Sequence, residues 1–417
     1  MPFGFYIIMA AQFFSALADN ALLIAAIAVL EQMQAPDAYT PLLKTCFAIS
    51  YVVLAAFVGA FADSMPKWRV MFISNAIKIA GCVMLFYGAH PLVAYAVVGL
   101  GAATYSPAKY GILTEYLPHR LLVVANGWIE GLTVGAIILG FVLGGMLTQE
   151  NFAHFVRTHN LLFLDTPEEA AIFLIGLFYL AAAIFNLYVP DTGVDHKPLK
   201  KNPIFLLHEF GHCLKLLWID KLGQISLALT TLLWGAAATL QFIVMGWARE
   251  ILHYDLAGAS KLQGVIAVGM AIGATLAART ITLRGAVKVI PVGIAMGLAV
   301  IAMNFVDRAL FAIPMLVLIG ALGGFFLVPM NALLQHRGHV LMGAGHSIAV
   351  QNFNENLSIL MMTGFYYLMI EASFSIHTII TLFGLFLAAI MALVRQIHLA
   401  NQKVHDHVAY LDDTRKH

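Results

Sequence analysis

Charge is what this sequence has least of. Only 11% of its 417 residues are Asp, Glu, Lys or Arg, less than half the roughly 25% of an ordinary soluble domain. A water-soluble globule is excluded. The 23 basic and 22 acidic residues leave a net charge of +1, which excludes a nucleic-acid binder relying on a clustered basic face. Cysteine is scarce too. Cys46, Cys82 and Cys213 are odd in number and far apart, so neither a disulfide framework nor a clustered thiolate site is indicated. The 14 Pro and 34 Gly are scattered through apolar stretches, which excludes collagen-like and low-complexity disordered chains. What remains is hydrophobic: 61% of the residues, in runs of about 20, each enough to cross a hydrocarbon core about 30 Å thick.

Hydropathy places spans near 3–30, 41–62, 70–89, 91–113, 121–148 and 170–189, then near 224–248, 259–283, 286–305, 309–334, 341–370 and 374–397. The expected fold is therefore an all-α integral membrane protein of about twelve transmembrane helices in two pseudo-symmetric six-helix bundles. The expected divisions are an N-terminal bundle at 1–190, a central loop with an amphipathic helix at 191–222, a C-terminal bundle at 223–397 and a tail at 398–417. Ala16-Leu17-Ala18 imitates a signal-peptidase site. Without a basic n-region, and with apolar sequence continuing to Leu30, the first span reads as a retained helix. Counting alternate loops, Lys67, Arg69, Arg120, Lys197, Lys200, Lys201, Lys215, Lys221, Arg284, Arg337, Arg395, Lys403, Arg415 and Lys416 fall on one side, with little more than Arg157, Arg249 and Arg308 opposite. The positive-inside rule then makes the termini and central loop cytoplasmic, with the acidic loops around Asp37 and Asp165–Glu169 outside.

The halves repeat. Gly101-x5-Pro107-Ala108-Lys109 in the fourth span is answered by Gly323-x5-Pro329-Met330-Asn331 in the tenth, 222 positions on. The same offset carries Asp19 onto Gln241, and Asn126-x3-Glu130 is answered by Asn352-x2-Glu355 at nearly that offset. Matching residues in helices of equal rank point to duplicated bundles.

Between the second and third spans, Gly59-x3-Asp63-x3-Lys67-x-Arg69 resembles the signature loop of the major facilitator superfamily, with Trp68 in place of a glycine and Pro66 as an intruder. Its role would be a conformational latch, Asp63 pairing with cations near helix ends. Glu130 would bond this loop. Gly140, Gly144 and Gly145 resemble the superfamily's close-packing motif. More specific are Ala11-Gln-Phe-Phe-Ser-Ala-Leu-Ala-Asp19-Asn20, Tyr105-Ser-Pro-Ala-Lys109-Tyr-Gly, Val328-Pro-Met-Asn331-Ala-Leu-Leu-Gln335 and Gly343-Ala-Gly-x3-Ala349-Val-Gln-Asn352-x2-Glu355. These segments look like those of the bacterial lysophospholipid transporters, along most of the chain. The resemblance implies inward flipping of lysophospholipids such as lysophosphatidylethanolamine across the bacterial inner membrane. A cytoplasmic acyltransferase coupled to acyl-carrier-protein synthetase would then re-acylate them. No cofactor and no metal are expected. Gln241 stands where some relatives are basic, and His346 where an asparagine is expected.

Ionisable groups at membrane depth are expensive, at least about 2.5 to 3.5 kcal/mol each on insertion scales, so each is a functional candidate. Asp19, Lys78, Lys109, Glu130 and Glu355 qualify. Asp19 and Glu355 are expected to hold a cation: a substrate amine, a coupling ion or an internal lysine. Lys109, just past the Pro107 break, suits a phosphate. Asn20, Gln241, Asn331, Gln351 and Asn352 would donate and accept neutral hydrogen bonds. The structural alternative is that such residues pair to hold the bundle; it is the favoured reading for Lys78 and Glu130. The competing functional class is a facilitator for another amphipathic or drug-like solute.

The central loop also contains His208-Glu209-Phe210-Gly211-His212, the H-E-x-x-H pattern of zinc metalloproteases. No third ligand follows at a recognised spacing. The neighbours Ile204, Phe205, Leu207, Leu214, Leu217 and Trp218, with Lys215 and Lys221, read as an amphipathic interfacial helix, so the chain is expected not to be an enzyme.

Overall fold

The computed structural model describes residues 1–35, 39–159, 166–194, 202–254, 256–404 and 408. Asp37, Asp165, Lys197, Lys200, Lys201, most of the C-terminal tail and the side chain of Glu130 lie outside what it describes. Helices dominate, and no strand occurs among the described residues. The first half runs α1 (Phe3–Gln32), α2 (Tyr39–Val53), α3 (Ala55–Asp63), α4 (Lys67–Phe86), α5 (Pro91–Tyr116), α6 (Leu122–Leu147), α7 (Glu150–His159) and α8 (Pro167–Leu187). After the connecting α9 (Pro203–Ile219) come α10 (Lys221–Glu250), α11 (Leu256–Thr280), α12 (Ile290–Ala302), α13 (Ala309–Met342), α14 (Ala344–Glu371) and α15 (Ile376–Val404).

Each hydropathy-derived span has a helical counterpart, with instructive differences. The second span is broken at Leu54 into α2 and α3, bent by 62°. The ninth is a short helix, α12, between 3-10 turns at Leu283–Val289 and Met303–Phe305. Helix α7 is an addition the hydropathy does not foresee, because its residues are half polar. Among the described residues nine helices are long and apolar enough to cross a membrane, ten with the bent pair. Helices α5 and α14 fall short on composition. They carry Thr104, Ser106 and Lys109, and Gln351, Asn352 and Glu355, so the deficit marks polar content, not length.

Contacts divide the chain into two compact units. The first holds Met1–Tyr116, Gly135–Gly211 and Gly343–Asn352; the second holds Leu117–Val134, His212–Met342 and Phe353–His417. The membership is reciprocal: α6 begins in the second unit and α14 in the first. The core of the first unit joins Leu22, Leu23 and Ala26 of α1 to Leu85 of α4, Val98 of α5 and Ile175 of α8.

Both units use glycine to bring helices together, the expected device where lipid provides no hydrophobic drive between helices. In the first, a Cβ added to Gly140 would lie 2.7 Å from the Leu17 carbonyl oxygen, and one on Gly144 would lie 3.0 Å from that of Ala21, so α6 presses on α1. Gly145, grouped with them in the sequence, has nothing within 4 Å of an added Cβ. In the second unit the contact is mutual. Gly269 and Gly273 of α11 abut the backbones of Val317 and Ala321, while Gly320 and Gly324 of α13 abut those of Ile266 and Met270.

Valine at Gly273 or Gly324 should therefore overpack this seam and destabilise the protein by about 1–3 kcal/mol, seen as a lowered thermal midpoint in detergent. Gly176→Val, with open space around its added carbon, should leave the midpoint unchanged; three equal midpoints would deny the seam its role.

Candidate functional site

The first unit holds a charge cluster deep among α1, α4, α5 and α8. Ser15 and Asp19 lie one turn apart on α1, and Asn75 and Lys78 lie one turn apart on α4, so each pair shares a helix face. The Lys78 Nζ donates to Asp19 Oδ2 at 2.8 Å and to Ser15 Oγ at 3.0 Å. Ser15 Oγ in turn donates to Asn75 Oδ1 at 2.9 Å. Tyr179 Oη of α8 donates to Asp19 Oδ1 at 2.7 Å. The ammonium also lies 5.2 Å from the ring centre of Tyr105 and 5.5 Å from that of Tyr179, within cation–π range. Gly101 makes room for the lysine, since an added Cβ would meet Lys78 Cγ at 2.7 Å.

The two charges are not equally enclosed. The Lys78 side chain is 2% exposed and that of Asp19 20%. A buried cation without its counterion is strongly unfavourable, so Lys78 needs Asp19. The carboxylate, with one edge open, can meet a second cation.

A second charged cluster sits at the start of α14. Gly343, at φ +93°, takes the chain from α13 into α14 in a conformation that glycine adopts without strain. Asp63 then caps the helix. Its Oδ1 accepts from the Gly345 amide at 2.7 Å, and its Oδ2 accepts from the His346 amide at 3.1 Å and approaches His346 Nδ1 at 2.7 Å. Negative charge on these otherwise unpaired amides is favourable, because a helix N-terminus carries partial positive charge. Lys67 Nζ bridges Asp63 Oδ1 at 2.8 Å and Glu115 Oε1 at 3.2 Å, and donates to the Ala62 carbonyl at 2.6 Å. Gly59 permits the approach of α3 to α14, as an added Cβ would stand 2.9 Å from Ala349 Cβ and 3.1 Å from His346 Cα. Arg69 lies over the Trp68 ring, 5.1 Å from its centre.

Paired amides tie the proline-bearing helices. Asn126 of α6 and Gln335 of α13 exchange two hydrogen bonds, both 2.9 Å, within the second unit. In the first, Asn352 Nδ2 of α14 donates to Ser106 Oγ of α5 at 2.9 Å, next to Pro107. Asn126 and Asn352 are the two repeat-related asparagines, on the fifth and eleventh spans, and they meet the tenth and fourth spans respectively. Lys109, also buried, lies 4.1 Å from the Tyr110 ring centre. Asn331, Gln351 and Glu355 are buried. Asn20 Nδ2 donates to the Ala16 carbonyl of its own helix at 2.8 Å. Gln241 accepts a hydrogen bond at its main-chain oxygen from Gln263 Nε2 at 2.8 Å and borders an apolar cavity of the second unit.

Among the described residues no group of three potential metal ligands occurs. His208 and His212 are exposed on α9, while Cys213 is buried. Glu209 Oε2 instead lies 3.9 Å from His346 Nε2.

Sequence reasoning singled out Asp19 and Lys78 but not that they meet. The signal was available in the one-turn spacing of Ser15 and Asp19 against that of Asn75 and Lys78, polar pairs in otherwise apolar helices. Tyr95, whose hydroxyl donates to the Asp19 carbonyl at 3.4 Å, and Tyr179 carry no such signal, because tyrosine is unremarkable in a membrane helix. Glu115 was missed for its place at a helix end.

The sequence profile of the Major Facilitator Superfamily matches residues 8–363. The lysophospholipid transporter LplT of Yersinia pestis (strain Pestoides F) is 40% identical over 365 residues, 87% of this chain and 86% of that one. LplT of Yersinia pseudotuberculosis serotype O:3 (strain YPIII) gives the same figures. Among solved structures, an outward-facing bacterial homologue of the iron transporter ferroportin aligns with a TM-score of 0.72 at 14% identity, covering 96% of this chain and 100% of that one. The human organic anion transporter MFSD10 (TETRAN) aligns with a TM-score of 0.71 at 14% identity, covering 95% and 100%. Identity that low speaks for shared fold alone, whereas the Yersinia proteins share sequence along nearly the whole length. The chain is an integral membrane protein of the Major Facilitator Superfamily and belongs, within it, to the family of the lysophospholipid transporters.

Proposed function

We propose that this protein moves lysophospholipids, lysophosphatidylethanolamine among them, across a bacterial inner membrane by alternating access. Its termini and α9 face the cytoplasm, where most of the lysines and arginines lie. An acyltransferase coupled to acyl-carrier-protein synthetase consumes the product there. The observation that carries this reading is the 40% identity, over 87% of the chain, to transporters named for lysophospholipids.

The chemistry supports it. A lysophospholipid headgroup of this type is zwitterionic and brings a cation and an anion together. The open edge of Asp19 suits its ammonium, which competes with Lys78 for the same carboxylate. Lys109 suits the phosphate. Asn20, Asn331, Gln351, Asn352 and Glu355 contribute the remaining polar contacts, while Gln241 borders the apolar cavity of the second unit. Gly59, Asp63, Lys67, Arg69 and Glu130 form the latch; Gly140 and Gly144 serve helix packing, and Gly145 has no neighbour that would require a glycine. No catalytic role is assigned, and the carrier turns over without cofactor.

The decisive test is uptake of labelled lysophosphatidylethanolamine into spheroplasts with and without this protein. Other lysophospholipids should compete and ordinary drugs should not; the reverse pattern would make it a carrier for another amphipathic solute.

Asp19→Asn should reduce uptake at least about tenfold and, by stranding Lys78, destabilise the protein by about 3–5 kcal/mol. Adding Lys78→Met should recover most of the thermal midpoint without recovering uptake. Uptake restored along with stability would make the pair a purely structural brace.

Asp63→Asn should weaken the cap on α14 and loosen its first turn. The readout is the reaction of an Ala344→Cys probe, in an otherwise cysteine-free protein, with a membrane-impermeant maleimide. Labelling should quicken by about tenfold, and an unchanged rate would remove Asp63 from the latch.

A further inference from the structure

The duplication can be followed from one site to another. Adding 222 to Ser15, Asp19, Ser74, Lys78 and Gly101, all at or beside the charge cluster, yields Ala237, Gln241, Met296, Val300 and Gly323. All five border a single cavity of about 80 Å³ inside the second unit. Packing follows the numbering. A Cβ on Gly101 would meet the Ser74 carbonyl oxygen at 2.8 Å and Lys78 Cγ at 2.7 Å, whereas one on Gly323 would meet only Met296 Sδ, 3.6 Å away. Where the first repeat threads a lysine past its glycine, the second repeat leaves a hollow.

Its chemistry is the inverse of the cluster's. Val300 replaces the ammonium, Gln241 the carboxylate and Ala237 the serine. The other walls, Ile319 and Phe383 among them, are apolar. The polar side chains in the lining are Gln241 and Gln263, and the amide of Gln263 is engaged with the Gln241 carbonyl at 2.8 Å. Close-packed interiors leave few voids larger than a water molecule. An apolar one stays dry and accepts apolar guests, since water there would find too few partners.

We propose that this cavity is a binding pocket for a hydrocarbon segment, the far end of an acyl chain. That the chain belongs to a lysophospholipid rests on the transport reading above. The two repeats would then carry sites of opposite chemistry, charge in the first and grease in the second.

The probe is lysophosphatidylethanolamine carrying a photoreactive diazirine at the terminal carbon of its chain, added to the protein in lipid nanodiscs, with adducts mapped by mass spectrometry. Adducts are expected at Met270, Met296 or Phe383. They should fall by about tenfold in Gly323→Leu, whose new side chain grows into open space, and likewise in Val300→Phe, which fills the hollow from α12. Adducts on the outward-facing Leu276 and Leu298, 50% and 56% exposed, should persist in both variants. Adducts confined to such outward positions, or cavity adducts that survive both fillings, would overturn the proposal. Labelling requires no transport, so the two readings fail separately. Cavity adducts in a protein that moves no lysophospholipid keep the pocket and sink the transport reading. Uptake without any cavity adduct does the opposite.

Discussion

A cation inside an apolar helix bundle must have a partner, and the organisation of the first unit follows from that constraint. Lys78 sits on α4 with its side chain buried, and leaving its charge uncompensated would be strongly unfavourable. Asp19 answers from α1, Ser15 and Asn75 complete the donor chain, and Tyr179 steadies the carboxylate from α8. Three helices are thereby committed to one arrangement through groups that would be out of place in lipid. Gly101 belongs to the same constraint, since the stem of Lys78 passes where a side chain would stand.

The asymmetry of that pair is the feature on which its proposed role in binding rests. Lys78 is enclosed on all sides, while Asp19 keeps an open edge. A carboxylate that holds one cation and keeps a fifth of its side chain exposed has the geometry that the proposed exchange requires. At the start of α14, Asp63 illustrates the contrasting use of the same residue type. Its oxygens are occupied by two helix amides, an imidazole and Lys67, which suits a clasp and not a ligand site.

Much of this was legible beforehand, for identifiable reasons. Apolar run length located the spans, because a bilayer fixes how much chain is needed to cross it. The constant offset exposed the duplication, and the packing of Gly101 and Gly323 against residues 222 positions apart agrees with it. Gly59 and Asp63 stood out as a motif, and their closeness to α14 explains why a glycine and a carboxylate are needed there. Less was legible wherever the decisive information was long-range or local to a bend. Nothing in the composition marks the 62° break at Leu54, where no proline or glycine stands. Asp19 and Lys78 are 59 positions apart, and which of several buried ions pair depends on how α1 and α4 are rotated about their axes. The cavity beside Gly323 escaped notice for the opposite reason: it consists of apolar residues, and hydropathy does not distinguish a filled interior from a hollow one.

The claim at the centre is that Asp19 exchanges Lys78 for the headgroup of an arriving lipid. Difference infrared spectroscopy of the Asp19 carboxylate, assigned by its disappearance in Asp19→Asn, reads that exchange directly. Adding lysophosphatidylethanolamine should shift the carboxylate bands, and adding a lysophospholipid with no headgroup cation should leave them in place. Bands that do not respond to the first lipid, or respond equally to both, would show that Asp19 never leaves its lysine and that the pair only holds the helices together.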